Sequence, residues 1–217
     1  MQAVANKPVS VARPDESPLA LENGDCLHAQ EFLRRYEAMP HLKKAELIEG
    51  KVYMGSPVRA ELHAKPDGLI QMWLGVYAAR HPFVSVYPNA TLLLDSDNTV
   101  QPDSMLCLSP ERGGRTELND KGYVCGPPEL VAEIAASSAS IDLRDKLAVY
   151  RRNRVLEYLV WRTAERRFDW FLLEDEEYHS QTPDADGLLQ SRVFPGLRLP
   201  VEALLTFDAA SLLAAVK

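Results

Sequence analysis

Leu130-Val131-Ala132-Glu133-Ile134-Ala135 is a short apolar run with a single carboxylate inside it. A run of this length and composition reads as a buried strand. Such a strand sets Glu133 and Ala135 on one face, while Val131 and Ile134 help to bury its flanks. A charge in that position is costly unless something pairs it, and a divalent cation is one such partner. Thirty residues upstream, Gln101-Pro102-Asp103 offers a second carboxylate. Two carboxylates that share a metal are the core of a hydrolytic site. The same residues allow a plainer reading, in which Glu133 ends a solvent-facing edge and Asp103 opens a turn after proline.

Downstream of the strand, the spacing predicts a helix from about Asp142 to Arg152. Leu143, Leu147 and Tyr150 recur at i, i+4 and i+7 and form its core stripe. Lys146 falls inside that stripe. Its ammonium either snorkels to water, with Asp142 as an i, i+4 partner, or reaches the pocket that Glu133 faces. Asp142 and Ser140 are rival caps for this helix.

Outward from this centre the chain alternates between helix and strand signals. Glu31–Tyr36 suits a short amphipathic helix that stops before Pro40. Strands at 45–49 and 51–54 flank Gly50 as a hairpin. Pro66 fits a helix first turn, with Leu69, Ile70, Trp73, Leu74 and Tyr77 at core spacing. Further strands are expected at 83–87, 91–94, 105–108, 157–161 and 167–173, and short helices at 201–205 and 209–216. The Gly-rich, charged stretch 110–126 is a candidate lid or binding element. The whole is an α/β pattern. The expected organisation is a flexible tail over 1–28, one folded domain over 29–207 and a C-terminal helix over 208–217.

Composition narrows the function classes. The chain has 217 residues, 46% hydrophobic and 25% charged, with a net charge of −7. That sign excludes a protein that coats nucleic acid non-specifically. The charge is uneven, since residues 142–167 hold eight basic side chains against four acidic ones; this stretch is a phosphate-facing patch or an ordinary solvated face. Cys26, Cys107 and Cys125 have no Cys-x-x-Cys spacing, which argues against a disulfide framework and a cysteine zinc site. No stretch is apolar enough for a membrane span, and no secretory signal is visible at the start, so a cytoplasmic setting is expected.

Taken together, an ordered series of motifs resembles the Uma-type family of restriction endonucleases within the PD-(D/E)xK nuclease superfamily. The series is Glu46-Leu47-Ile48-Glu49-Gly50-Lys51-Val52, His63, Gln101-Pro102-Asp103, Pro128-Glu129-Leu130-Val131-Ala132-Glu133-Ile134, the helix from Asp142 through Lys146 to Tyr150, and Glu157-Tyr158. It covers roughly residues 29–205, and its combined order is more specific than any one motif.

The resemblance implies a restriction-endonuclease-like core, a mixed central β-sheet flanked by helices. It also implies hydrolysis of DNA phosphodiester bonds with Mg2+, Mn2+ being a possible substitute. Carried over by residue, Asp103 and Glu133 are the implied metal ligands, Glu46 the upstream acidic residue and Lys146 the catalytic lysine. His63 matches a recurring histidine. The usual lysine position, two residues after the glutamate, is Ala135 here, so Lys146 has to serve from the helix. Ala135-Ala136-Ser137-Ser138 replaces a common Ser-Pro-Ser turn, and Arg162 stands where aspartate is common. The alternatives are an inactive nuclease-fold module for nucleic-acid or protein binding, and a non-catalytic structural protein that dimerises through its apolar C-terminal helix.

Overall fold

The computed structural model describes residues 18–136 and 138–217. Of the expected tail, 1–17 lies outside the described residues. The remainder is docked, with Leu21 buried in one cluster with Phe32, Leu47 and Val52, and Cys26 bridged to Lys51.

Among the described residues the first elements are helix α1 (Ala29–Glu37) and the hairpin of β1 (Ala45–Ile48) and β2 (Lys51–Met54). Glu49 and Gly50 turn the hairpin with φ of 51° and 72°, the double positive φ that two-residue hairpins favour. A π-helical turn (Ala60–Ala64) leads into α2 (Lys65–Arg80), which buries the expected Leu69, Ile70, Trp73, Leu74 and Tyr77. Strands β3 (Val84–Pro88), β4 (Leu92–Asp95), β5 (Asn98–Val100) and β6 (Ser104–Leu108) follow. Next come β7 (Glu117–Leu118), β8 (Val124–Cys125) and β9 (Leu130–Ala135). Helix α3 (Ala139–Ile141), a π-helical turn (Asp142–Lys146) and α4 (Leu147–Arg152) join end to end. The chain finishes with β10 (Glu157–Arg162), β11 (Arg167–Glu174), β12 (Glu177–Ser180), β13 (Leu188–Gln190), β14 (Arg198–Pro200), α5 (Val201–Leu205) and α6 (Ala209–Ala214).

The central sheet runs β12-β11-β10-β9-β6-β3. Strands β9 and β10 are parallel, as their helical crossover requires, and the other neighbours are antiparallel. Leu130, Ala132 and Ile134 face a core shared with α2, β14, α5 and α6. Val131 and Ala135 face the opposite core, with Val149, Tyr150 and Tyr158. Glu133 lies on this second face by strand alternation.

A second sheet, β2-β1-β5-β4-β8-β7, is an addition to the expected single one. All four residues of β1 are buried because the strand is covered on both faces. Ala45 and Leu47 pack in the cluster that holds Phe32 of α1, whereas Ile48 packs with Val131 of the central sheet. Glu46 shares the Ile48 side and is thereby aimed at the central sheet.

The 110–126 stretch is partly structured. Its β7–β8 hairpin edges the second sheet, and Lys121 and Tyr123 both bond Glu37 of α1. Lys121 and Gly122 form an exposed tip. The apolar C-terminal residues Leu212 and Val216 are buried in the same core as Trp73, so the face offered for dimerisation is covered by the protein itself. Among the described residues no helix is long and apolar enough to cross a membrane, and all three cysteines are free thiols.

Candidate active site

The register of the central sheet brings the two expected carboxylates together. Ser104 pairs with Ala132 across the antiparallel β6–β9 ladder, and one further step sets Asp103 opposite Glu133. There the ladder is continued by a side chain, since Asp103 Oδ2 accepts the Ile134 N–H at 2.8 Å. The same oxygen lies 3.3 Å from His63 Nε2, and Oδ1 lies 3.1 Å from Lys44 Nζ. Burial alone would raise the Asp103 carboxyl. The His63 hydrogen bond, the charges of Lys44 and His63 and the Ile134 N–H outweigh it and hold the group well below the usual carboxylate range. His63 is raised in return, chiefly by its hydrogen bond to Asp103.

Glu133 Oε1 accepts from both Lys146 Nζ and Tyr150 OH at 2.9 Å. Lys146 Nζ is also 2.9 Å from Glu46 Oε1 and 3.8 Å from Asp142 Oδ1. Glu46 Oε1 is fixed in turn by the Gln101 N–H at 2.8 Å. Burial and the neighbouring carboxylates Asp103, Asp142 and Glu46 push the Glu133 carboxyl up to about 8 against the pull of Lys146. Burial works against the Lys146 ammonium, yet Glu133, Glu46 and Asp142 hold it well above its ordinary value.

The helix stripe differs from its expected composition. Its buried members are Asp142, Lys146, Val149 and Tyr150, while Leu143 and Leu147 sit half-buried at its sides. The stripe is polar because it covers a polar site. Lys146 therefore reaches the pocket, and its contact with Asp142 is the longest of the three. Neither Asp142 nor Ser140 caps the helix; the Ser138 hydroxyl donates to the Asp142 carboxylate.

The structure thus unites Asp103, Glu133, Glu46, Lys146 and His63. Three neighbours escaped the sequence reading. Lys44 stands two residues before Glu46, just ahead of β1. Tyr150, taken for core, is a donor one helical turn from Lys146. Asp67 lies one turn from His63; its carboxyl is raised by burial, and its Oδ1 is buried without a partner among the described residues.

The donor set fits a hard divalent cation. Four buried carboxylates, Glu46, Asp103, Glu133 and Asp142, gather here around the Lys44 and Lys146 ammonium groups and His63, an oxygen-rich set. Among the described residues no three His, Cys, Asp or Glu side chains converge to enclose an ion. An ion here would rely on one or two carboxylates and keep several waters, which is the habit of magnesium.

The basic stretch 142–167 is largely committed elsewhere. Arg151 pairs with Glu177, Arg152 with Glu49 and Asp95, Arg154 with Glu176, and Arg162 with Asp169 and Glu165. Arg144, Arg166 and Arg167 are exposed.

A solved protein from Anabaena variabilis ATCC 29413, described as "a putative nuclease belonging to DUF820", shares the fold. The match covers 76% of this chain and 91% of that one, with a TM-score of 0.60 and 12% identity. At that identity the likeness speaks for the restriction-endonuclease-like fold alone. No curated protein matches the chain. A family model, by contrast, matches residues 29–202, most of the chain, and on that match the protein belongs to the Uma2 family, described as "Putative restriction endonuclease".

Proposed function

We propose that the protein is a magnesium-dependent endonuclease that hydrolyses phosphodiester bonds of DNA. In this reading Asp103 and Glu133 hold Mg2+, or Mn2+ in its place, Lys146 is the lysine of the site, and Glu46 orients that lysine. The observation that carries it is the 2.9 Å contact between Lys146 Nζ and Glu133 Oε1, because the helix supplies the ammonium group that Ala135 cannot. The metal when bound supplies Lewis-acid activation of a phosphate oxygen and of a water.

The protein's own residues prepare that chemistry. The Ile134 N–H fixes one Asp103 oxygen, and Lys146 with Tyr150 fixes one Glu133 oxygen. Tyr150 is held far above its ordinary range by burial and the charge of Glu133, so it stays a donor. Lys146, clamped by Glu46, keeps positive charge beside the position where negative charge develops. Substrate affinity is modest and salt-sensitive, given the net charge of −7. The three free thiols support a reducing, cytoplasmic setting.

One observation favours a second reading. Both Asp103 oxygens already have partners in Lys44, His63 and Ile134, as in a self-neutralised site on an inactive nuclease scaffold. Plasmid cleavage with Mg2+ and with EDTA, run on wild type beside Asp103→Ala, separates the two. Nicking by wild type in Mg2+ alone is the expected result. Equal nicking by both proteins points to a contaminant, and none by either across several metals and substrates selects the inactive scaffold.

A further inference from the structure

The two lysines of the site are not equivalent. The Lys146 side chain is 4% exposed and ringed by Glu133, Glu46 and Asp142. Its ionic contacts among the described residues are all with carboxylates of the site itself. The Lys44 side chain is 30% exposed, and Asp103 is its one carboxylate partner among the described residues.

Local structure holds the stem of Lys44 while leaving its tip open. Its carbonyl accepts the Gly55 N–H at 3.3 Å across the hairpin. Its stem lies on the bare face of Gly55, where an added Cβ would come within 3.3 Å of Lys44 Cβ. The carbonyl of Lys43 is held by the Tyr36 hydroxyl at 3.2 Å. The ammonium therefore sits at the rim of the carboxylate cluster on an anchored stem.

We propose that Lys44 binds a phosphate of the substrate backbone beside the reacting one. The proposal rests on the nuclease reading above and gives the site a second cationic residue. Once the charge of Asp103 is neutralised, Lys44 has lost its nearest counter-charge, and a backbone phosphate supplies another. The contact positions the strand and carries no base preference.

Asp103→Asn neutralises that carboxylate without a metal and prevents cleavage, so binding can be read on its own. A fluorescein-labelled DNA duplex is titrated by anisotropy at several salt concentrations against Asp103→Asn, Asp103→Asn/Lys44→Gln and Asp103→Asn/Lys44→Arg. Thermal unfolding checks that each variant is folded, and Gln keeps most of the aliphatic stem on Gly55. The expected result is weaker binding by the Lys44→Gln pair. Its slope of log K against log salt should be shallower by about 0.9, the signature of one lost phosphate contact. Lys44→Arg should restore the slope.

In the otherwise wild-type enzyme, Lys44→Gln is expected to raise KM more than it lowers kcat. Equal slopes for Asp103→Asn and its Lys44→Gln partner, with wild type still cutting DNA, overturn the role of Lys44 alone. Absence of both DNA binding by Asp103→Asn and cleavage by wild type overturns the nuclease reading together with it.

Discussion

Glu133 and Glu157 stand on adjacent parallel strands, each buried and each with its carboxyl raised by that burial. Their surroundings differ in kind. Glu157 accepts from Trp170 Nε1, Ser191 Oγ and the N–H groups of Arg192 and Val193, at 2.7–3.1 Å. None of these donors is charged, and together they tie the segment after β13 to the central sheet. Glu133 instead takes an ammonium and a phenol, and shares the ammonium with two further carboxylates. Burial and a displaced carboxyl are common to both, so they do not mark a site. A buried ammonium shared among three carboxylates does.

The comparison breaks most visibly in activity. Asp103→Ala or Glu133→Ala is expected to lower cleavage on the order of 10³-fold, the scale of losing a main electrostatic group. Glu157→Gln should leave cleavage by the folded protein unchanged. Single-turnover rates on one plasmid substrate compare the three, and a Glu133→Ala protein that cuts at the wild-type rate would end the assignment.

Next in size are stability effects, read from urea midpoints. Glu157→Ala orphans four donors, two of them on the buried Trp170 and Ser191, and should cost roughly 3–5 kcal/mol, each buried group costing about 1–3 before the site relaxes. Lys146→Ala should cost a similar amount, about 3–5 kcal/mol, because it strands buried carboxylates without their counter-charge. An unchanged midpoint for Lys146→Ala would mean that those carboxylates simply take up protons.

A smaller effect follows from pH. Glu133 goes from an ordinary 4.5 up to about 8 on folding, so between those values the folded state binds more protons than the unfolded one. Its contribution to stability therefore falls as pH rises across this window. In EDTA, Glu133→Gln should show a shallower decline of urea midpoint from pH 5 to pH 8 than wild type. Parallel curves would contradict the sign of the shift. The smallest expected change is that of Arg152→Ala, whose exposed pair with Glu49 is worth at most about 1 kcal/mol. Its DNA affinity should change less than that of Arg166→Ala, measured by the same anisotropy titration.

The features legible in sequence were those with a local signature. The apolar run around Glu133, the core spacing of α2 and the misplaced Lys146 each declared themselves within a dozen residues. Lys44 did not, because a lysine before a hairpin reads as solvated until a strand from 59 residues later carries Asp103 to it. The three residues of β5 were hidden by their length and by the polar Asn98 and Thr99, whose burial depends on the pairing with β1 and β4. Edge strand β12, Glu177–Ser180, is polar because it faces water. The division into two sheets is a matter of which strands pair, and no local pattern encodes that.

The exposed tip at Lys121–Gly122 also partitions the protein. Everything before it includes Lys44, Glu46, His63 and Asp103; everything after it includes Glu133, Lys146 and Tyr150. A backbone cut there falls at a surface tip of the kind that tolerates nicking, and it would leave one carboxylate of the proposed metal pair on each fragment. Neither piece alone would own a site. Two separately produced halves, each fused to one member of a binding pair, should then cleave DNA only when brought together, so that nuclease activity becomes a reporter of the encounter.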